Sequence, residues 1–320
     1  MNNKNIHLFH IIFLLLSVSL LIGQQNQYSS GRYALELIKH YLVHEEYDLA
    51  LQVAEKDFPE TDYPDSLAWL IAPVYKIKNE PIKAAEQYSI VITHTADTLL
   101  AHKAVTKLRP ILSQLSVRTS IELMVQTLEH VTSDQIYLEL ILILADIYEK
   151  NYLFTEANDI YSNLIDNKYT ISNQELYIRI ATNNVFQKKY KEAIKYADIV
   201  EAQEDTTHLA QALFIKYLGF DAQDMKDEAL YPLLKLYLNY PEFASIFEIN
   251  LNLVELLELN KEWLPAWYIL ENYYPQADKL EKKIIEKEIK EIKSKIQLEP
   301  NNSTFFRYFN PDFSRILKEN

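Results

Sequence analysis

Two histidines have the clearest metal-binding spacing in this sequence. His40 and His44 are four residues apart, so on a helix they share one face, and Glu45 and Glu46 follow directly. Such a pair binds zinc when a third ligand converges on it. The sequence identifies no third ligand, and residues 44–46 fall at a break between two helical patterns, where exposed polar residues are common. We therefore predict no metal site and no cofactor.

Linear signatures of catalysis are missing as well. The sequence has no HExxH, Walker A, GxSxG or EF-hand pattern. It has 3 glycines in 320 residues and no cysteine. Nucleotide-binding loops and tight β-hairpins need glycine for its positive φ, while disulfides, thiol nucleophiles and a lipidated N-terminal residue need cysteine. These counts favour helices, and the missing motifs lead us to predict a protein that is not an enzyme.

The charge balance bears on the class of partner. The chain has 45 acidic and 32 basic residues, a net charge of −13. This balance disfavours nucleic-acid binding because no basic surface dominates. The acidic clusters at residues 201–205 and 221–228 fall between helical patterns, so we expect them to be solvated loop charges.

The first 23 residues have the pattern of a secretory signal peptide. Lys4 is the only charged side chain before Arg32, residues 11–22 are an apolar run, and the small residue Gly23 precedes a polar segment. We predict export with cleavage after Gly23, to the periplasm or the medium. An uncleaved membrane anchor is the alternative, although spanning a bilayer takes about 20 apolar residues.

The rest of the chain repeats itself. Ala157, Ala193 and Ala229 are 36 residues apart, and each lies in the second of two consecutive amphipathic helical patterns. Ala50 and Ala84 occupy the same place in two earlier copies. A repeated pair of helices is therefore the expected building unit.

Two further copies are less regular. The 73 residues from Ala84 to Ala157 span two periods, so a degenerate unit is expected at about residues 97–130. Its small residues would be Ala104 and Ser120. The last pair is predicted over residues 244–259 and 262–273, with Trp263 where the alanine is expected.

These features resemble the tetratricopeptide repeat, a helix-turn-helix unit of about 34 residues. In that family small residues lie where the two helices cross, because a large side chain would hold the helices apart. The Glu-Ala element recurs at Glu156, Glu192 and Glu228, each followed by its alanine. The resemblance covers residues 31–274 and implies an all-α, right-handed α-solenoid of about six to seven helix pairs. A non-repetitive helical bundle is the alternative.

The sequence changes in character after Pro275. Residues 275–298 are a Lys/Glu-rich helical pattern with a stripe of leucine and isoleucine, as expected for a helix that caps the last repeat. A short intermolecular coiled coil is the alternative, but the stripe is under three heptads long. The aromatic tail at residues 299–320 is expected to pack against the repeats or to dock onto a partner.

A solenoid of helix pairs offers a concave groove lined by the first helix of each unit. The polar residues that we expect to face this groove are Glu139, Asp146, Glu149, Glu175, Arg179, Thr182, Asn183, Gln211 and Asp221. An asparagine beside an arginine suits an extended peptide, because the amide can pair with peptide N–H and C=O groups. The alternative is that these residues form ordinary solvated faces. The Lys/Asn/Arg set with which some relatives grip a C-terminal carboxylate is not matched.

The sequence thus predicts an exported, non-catalytic scaffold or adaptor that binds a protein or peptide partner in the bacterial cell envelope. The resemblance suggests a role in the assembly of envelope or outer-membrane complexes. A receptor that takes a small ligand or glycan in the groove is one alternative. An enzyme accessory domain, or an enzyme with no linear motif, is another.

Overall fold

The computed structural model describes residues 32–57, 62–167, 169, 172–203 and 207–298. The predicted signal peptide and the aromatic tail lie outside these residues. The described helices are α1 (32–43), α2 (Tyr47–Asp57), α3 (Pro64–Ile77), α4 (Pro81–His94), α5 (Thr98–Leu112), α6 (Val117–His130), α7 (Asp134–Lys150), α8 (Phe154–Asp166), α9 (Asn173–Phe186), α10 (Tyr190–Glu201), α11 (Leu209–Asp221), α12 (Lys226–Asn239), α13 (Pro241–Ala244), α14 (Phe247–Leu259), α15 (Trp263–Tyr273) and α16 (Lys279–Leu298).

The described part of the chain contains no strand, and the all-α class predicted from the sequence is confirmed. The chain divides into two compact units, with the boundary between Tyr152 and Leu153. In unit 1, short turns join α1 to α2, α3 to α4 and α5 to α6. In unit 2, similar turns join α9 to α10, α11 to α12 and α14 to α15, and these partners pack against each other. None of the described helices is both long and apolar enough to cross a bilayer.

A small residue occupies the fourth position of the second helix in each of these six pairs, and also the fourth position of α8. These residues are Ala50, Ala84, Ser120, Ala157, Ala193, Ala229 and Ala266. The alanines have 0% exposure and Ser120 has 2%, as expected where two helices approach closely. The prediction of Trp263 at this position was wrong. Trp263 is the first residue of α15 and Ala266 lies at the crossing, because this last repeat is 37 residues long from Ala229, whereas Trp263 would require a repeat of 34.

The start of the last pair also differs from its prediction. Residues 241–244 form the separate short helix α13, and α14 begins only at Phe247. The residue before it, Ile246, has an extended backbone (ψ 121°), which separates the two helices.

The turns inside most pairs use a left-handed backbone without glycine. Residues with φ near +60° are Glu45, Asn79, Tyr152, Lys188, Asp224 and Lys261. At Lys188 the backbone N–H donates to the Val185 carbonyl (2.9 Å), and the next N–H donates to that of Asn184 (2.8 Å). This is the hydrogen-bond pattern of a Schellman C-cap, a position that glycine usually occupies. The protein therefore makes tight turns without glycine, at a cost of about 1–2 kcal/mol per residue.

We predict that Lys188→Gly stabilises the protein by about 0.5–1 kcal/mol. The gain from relieving the left-handed strain exceeds the entropy that glycine adds to the unfolded chain. Urea denaturation monitored by circular dichroism measures the change. The matched control is Lys195→Gly in the exposed middle of α10, which we expect to destabilise by about 1 kcal/mol. Equal destabilisation by both variants would contradict the prediction.

A cluster of charges joins α10, α11 and α12 in unit 2. The Lys216 ammonium lies 2.7 Å from carboxylate oxygens of both Asp198 and Glu201, and Lys235 Nζ lies 2.8 Å from the second Glu201 oxygen. Only 19% of the Glu201 side chain is exposed. The expectation that this end of the 201–205 cluster is a solvated loop was therefore wrong for Glu201, because the cations of the two following helices cover it.

The same contacts set the pKa of Glu201. Burial alone would raise this pKa, but the hydrogen bonds donated by Lys216 and Lys235 outweigh burial and hold it below the ordinary value of 4.5. A carboxylate with a lowered folded-state pKa contributes stability above its unfolded pKa, and this contribution is lost as the pH falls through the folded value.

We therefore predict that Glu201→Gln lowers the unfolding free energy at pH 7 by about 1–3 kcal/mol, because it removes a buried charged partner of two lysines. The unfolding free energy of the variant should also fall less steeply than that of the wild type as the pH drops below about 5. Urea titrations at several pH values test both points. Glu192→Gln, at an exposed position of α10, serves as the control. Parallel pH profiles of the wild type and Glu201→Gln would count against the prediction.

Helix α16 packs against α15 through its isoleucine stripe. Ile285 and Ile292 are fully buried in the apolar cluster of unit 2, and Ile289 and Ile296 pack against that cluster. The face that an intermolecular coiled coil would use is thus covered by the same chain. The role of α16 as a cap stays a prediction.

Candidate partner-binding site

A cleft opens in unit 1 between the C-terminal halves of α5 and α7 and the start of α6. It encloses about 220 Å³. Its apolar wall comes mainly from Leu112, Ile143 and Ile147, and its polar rim includes Arg109 and Lys150. We refer to it as the α5–α7 cleft.

The cleft lies at the degenerate repeat, whose turn differs from the others. The α5–α6 turn has no residue with positive φ. Instead Ser116 caps α6 by accepting a hydrogen bond from the Thr119 N–H (3.1 Å), and the buried Ser120 hydroxyl donates to the Leu112 carbonyl (2.9 Å). Helix α6 then packs against α4 and α7. The irregular turn accompanies the open space between α5 and α7.

The rim of the cleft carries two cations. Arg109 and Lys150 lie in the last turns of α5 and α7, and both are exposed. Within the described ranges neither side chain makes an ion pair or a hydrogen bond. Val117, the first residue of α6, also lines the cleft, so the positive end of that helix dipole borders the same space. Asp146 also lines the cleft, so its apolar walls are joined by two cations and one carboxylate, a net positive charge.

Of the predicted groove residues in unit 1, Asp146 lines the cleft and Glu139 bridges two helices. The Glu139 carboxylate lies 2.7 Å from His102 Nδ1, which joins α7 to α5, and each side chain is about one-third exposed. Glu149 is partly buried near the end of α7. The structure thus brings Asp146 to the cleft. Glu139 lies seven residues before Asp146 on α7, about two helix turns away. The binding roles of all three residues stay predictions.

Several predicted groove residues of unit 2 interact within their own unit. Arg179 donates a hydrogen bond to the Tyr161 hydroxyl (3.0 Å), lies over that ring, and has Glu175 at 3.6 Å. The Thr182 hydroxyl donates to the Ile178 carbonyl of its own helix (2.8 Å). These contacts position the side chains of α9 and leave their role in binding a prediction.

Asn183 differs from its expected position. Its side chain is only 2% exposed, and Nδ2 donates to Asn158 Oδ1 on α8 (2.9 Å). Asn158 in turn lies 3.5 Å from the buried Asn184. We expected Asn183 to read a peptide backbone from the groove, but the structure uses its amide to join two packed helices.

The last two predicted residues are at the surface of α11. The exposed Gln211 has its Oε1 3.1 Å from His208 Nδ1, and Asp221 pairs with Lys226 at 2.6 Å. The structure does not gather the predicted residues of unit 2 into one pocket. Their binding role stays a prediction.

The histidine pair considered for metal binding lies on α1 and the following turn. The rings of His40 and His44 are edge to face, with centroids 4.5 Å apart. Over the described ranges, no group of three or more His, Cys, Asp or Glu residues is placed to hold a metal ion.

Sequence reasoning missed Arg109, Lys150, Leu112 and Ile147 as site residues. A signal was present, because the repeat pattern weakens at residues 97–130 and basic residues end the helices on both sides of the cleft. That pattern alone could not show that α5 and α7 leave a space between them.

We predict that Asn183→Ala lowers the unfolding free energy by about 1–3 kcal/mol, because it leaves Asn158 without its buried partner. A double-mutant cycle with Asn158→Ala, measured by urea denaturation, should show coupling between the two sites. Gln211→Ala, at an exposed site, should change stability by less than about 0.5 kcal/mol. Additive effects of the Asn158 and Asn183 substitutions would contradict a stabilising contact.

No family model and no curated protein matches this sequence. Solved structures do match. A chain of the Naa15/Naa10 complex bound to HypK-THB aligns with a TM-score of 0.55 and 11% identity, over 85% of this chain and 41% of that chain. A tetratricopeptide repeat protein from Parabacteroides merdae aligns with a TM-score of 0.42 and 14% identity, over 77% of this chain and 97% of that one.

The fold is an all-α repeat of the tetratricopeptide type. The predicted fold class is thereby confirmed, with helix pairs that recur every 34 to 37 residues. This chain spans less than half the length of the Naa15/Naa10 chain, and at such identities the likeness concerns the fold alone.

Proposed function

We propose that this protein is an exported, non-catalytic scaffold that binds another protein of the bacterial cell envelope through the α5–α7 cleft and the neighbouring faces of α5 and α7. The observation that carries the proposal is the cleft itself, which combines apolar walls with Arg109 and Lys150, two cations that make no ion pair with any residue the structure describes. A role in assembling envelope complexes is part of the proposal and rests on the resemblance stated above.

The size and lining of the cleft favour a protein partner over a small ligand. Its volume of about 220 Å³ is below the roughly 300–1,000 Å³ of pockets that enclose drug-sized molecules. Its walls contain no aromatic side chain on which a sugar ring could stack. A cleft of this size and character suits one or two side chains of a partner whose remaining contacts spread over the adjoining helices.

Export is supported by the N-terminal pattern of Lys4, the apolar run at residues 11–22 and Gly23. This pattern is independent of the cleft. Partner binding and export therefore need separate tests.

We predict that expression of the full chain in a Gram-negative host yields a periplasmic protein that begins at Gln24. Mass spectrometry of the osmotic-shock fraction measures the N-terminus. Leu15→Arg should abolish export, because a charge within the apolar run opposes membrane insertion. A chain that retains Met1 and remains with the membrane would instead support the anchor.

We also predict that a photo-cross-linking amino acid at Ser113, on the cleft, captures one protein partner in living cells of the native host. The same group at Glu129, an exposed residue of α6 outside the cleft, should not capture it. Immunoblotting and mass spectrometry identify the adducts. Capture that is equal at both positions, or absent from Ser113, would contradict binding at the cleft.

A further inference from the structure

The α5–α7 cleft has the chemistry to select a particular kind of segment. We propose that it binds an acidic–aliphatic stretch within a partner protein, which rests on the proposed function. An aliphatic side chain enters against Leu112, Ile143 and Ile147, and a neighbouring Asp or Glu carboxylate accepts hydrogen bonds from Arg109 and Lys150.

The apolar half of the cleft supplies a place for one side chain. Leu112 and Ile143 are buried residues whose atoms nevertheless line the cleft, and Ile147 is partly buried beside them. When a leucine, isoleucine or methionine of the partner enters the cleft, its own apolar surface and that of the cleft walls are both withdrawn from water, which favours binding. The volume of about 220 Å³ leaves no room for a bulky ligand enclosed on all sides.

The polar half of the cleft supplies donors for one carboxylate. Asn151 also lines the cleft, but its amide donates to the Ile147 carbonyl of its own helix (2.7 Å). Arg109 and Lys150 therefore remain as the charged donors, and arginine matches the two oxygens of a carboxylate. Asp146, the acidic residue of the lining, opposes a second carboxylate, but the charges of the three side chains still sum to +1. The positive end of α6 at Val117 adds to the attraction for an anion.

The position of these cations at helix ends has a structural use as well, because cations offset the negative C-terminal dipoles of α5 and α7. That use does not select a ligand. A net charge of −13 over the whole chain opposes binding of a long polyanion such as nucleic acid, so a short acidic protein segment is the anion that fits.

The experiment uses the full chain as bait for a library of random 12-residue peptides displayed between constant flanks. We expect enrichment of Asp or Glu within four residues of Leu, Ile, Met or Val. The best sequence, synthesised with acetylated and amidated ends, is then measured by fluorescence polarisation. Arg109→Ala and Lys150→Ala should each weaken binding about tenfold, the size expected for a hydrogen bond to a charged group.

Charge reversal separates a binding role from a structural one. The double variant Arg109→Glu/Lys150→Glu should no longer bind the acidic peptide. It should instead bind a peptide in which lysine replaces each Asp and Glu of that sequence. Lys103→Ala with Lys107→Ala removes two exposed cations of α5 that do not line the cleft, and should leave affinity unchanged. A loss of affinity without reversal of preference would assign the cations a structural role and overturn the inference.

Three other outcomes would also overturn it: enriched sequences without acids, binding only to peptides with a free C-terminal carboxylate, or no enriched sequence at all. If the Ser113 cross-link still captures a protein in any of these cases, the proposed function stands while the acidic–aliphatic preference falls.

Discussion

Close approach of two helices at a single small residue is the constraint on which the rest of this structure depends. In the closely packed pairs α3–α4, α9–α10, α11–α12 and α14–α15, the fourth residue of the second helix is an alanine with 0% exposure. A larger side chain there would separate the helices and expose the apolar rows beside them. The 34- to 37-residue spacing of these positions is therefore a direct consequence of the packing, and for that reason the amino-acid sequence alone reveals it.

The sequence was less informative about turns and helix ends. Its glycine poverty predicted helices correctly but gave no sign that residues as different as Tyr152 and Lys188 adopt the same left-handed backbone. The capping hydrogen bonds involve only backbone atoms, so many side chains can occupy the position once packing fixes the two helices. Likewise Trp263 lies 34 residues after Ala229, but the last repeat is 37 residues long and places Ala266 at the crossing. Periodicity identifies that a repeat exists more reliably than it fixes its register.

The candidate site was only partly predictable, for a related reason. Asp146 lines the cleft as part of the expected polar row, yet Asn183 on the neighbouring repeat is buried against Asn158. A polar residue near the edge of an apolar stripe can face solvent or join a buried amide pair, and the choice depends on which residue lies opposite. Arg109 and Lys150 are 41 residues apart in sequence, and only the packing of α5 and α7 brings them to the same cleft.

The charged side chains that the structure describes fall into two groups, those that contact a partner side chain on another helix and those that do not. The ion pairs of Glu201 with Lys216 and Lys235 join three helices. Each carboxylate oxygen of Glu201 already contacts a lysine of its own protein. Arg179 likewise has Tyr161 and Glu175 beside it. Arg109 and Lys150 make no ion pair within the described chain, although Asp146 lines the same cleft, and they lie beside apolar walls. A carboxylate bound there would be partly withdrawn from water, which strengthens its attraction to the two cations. Charges that hold helices together are spread along the repeats, whereas the cations best placed for a partner lie where the repeat is least regular.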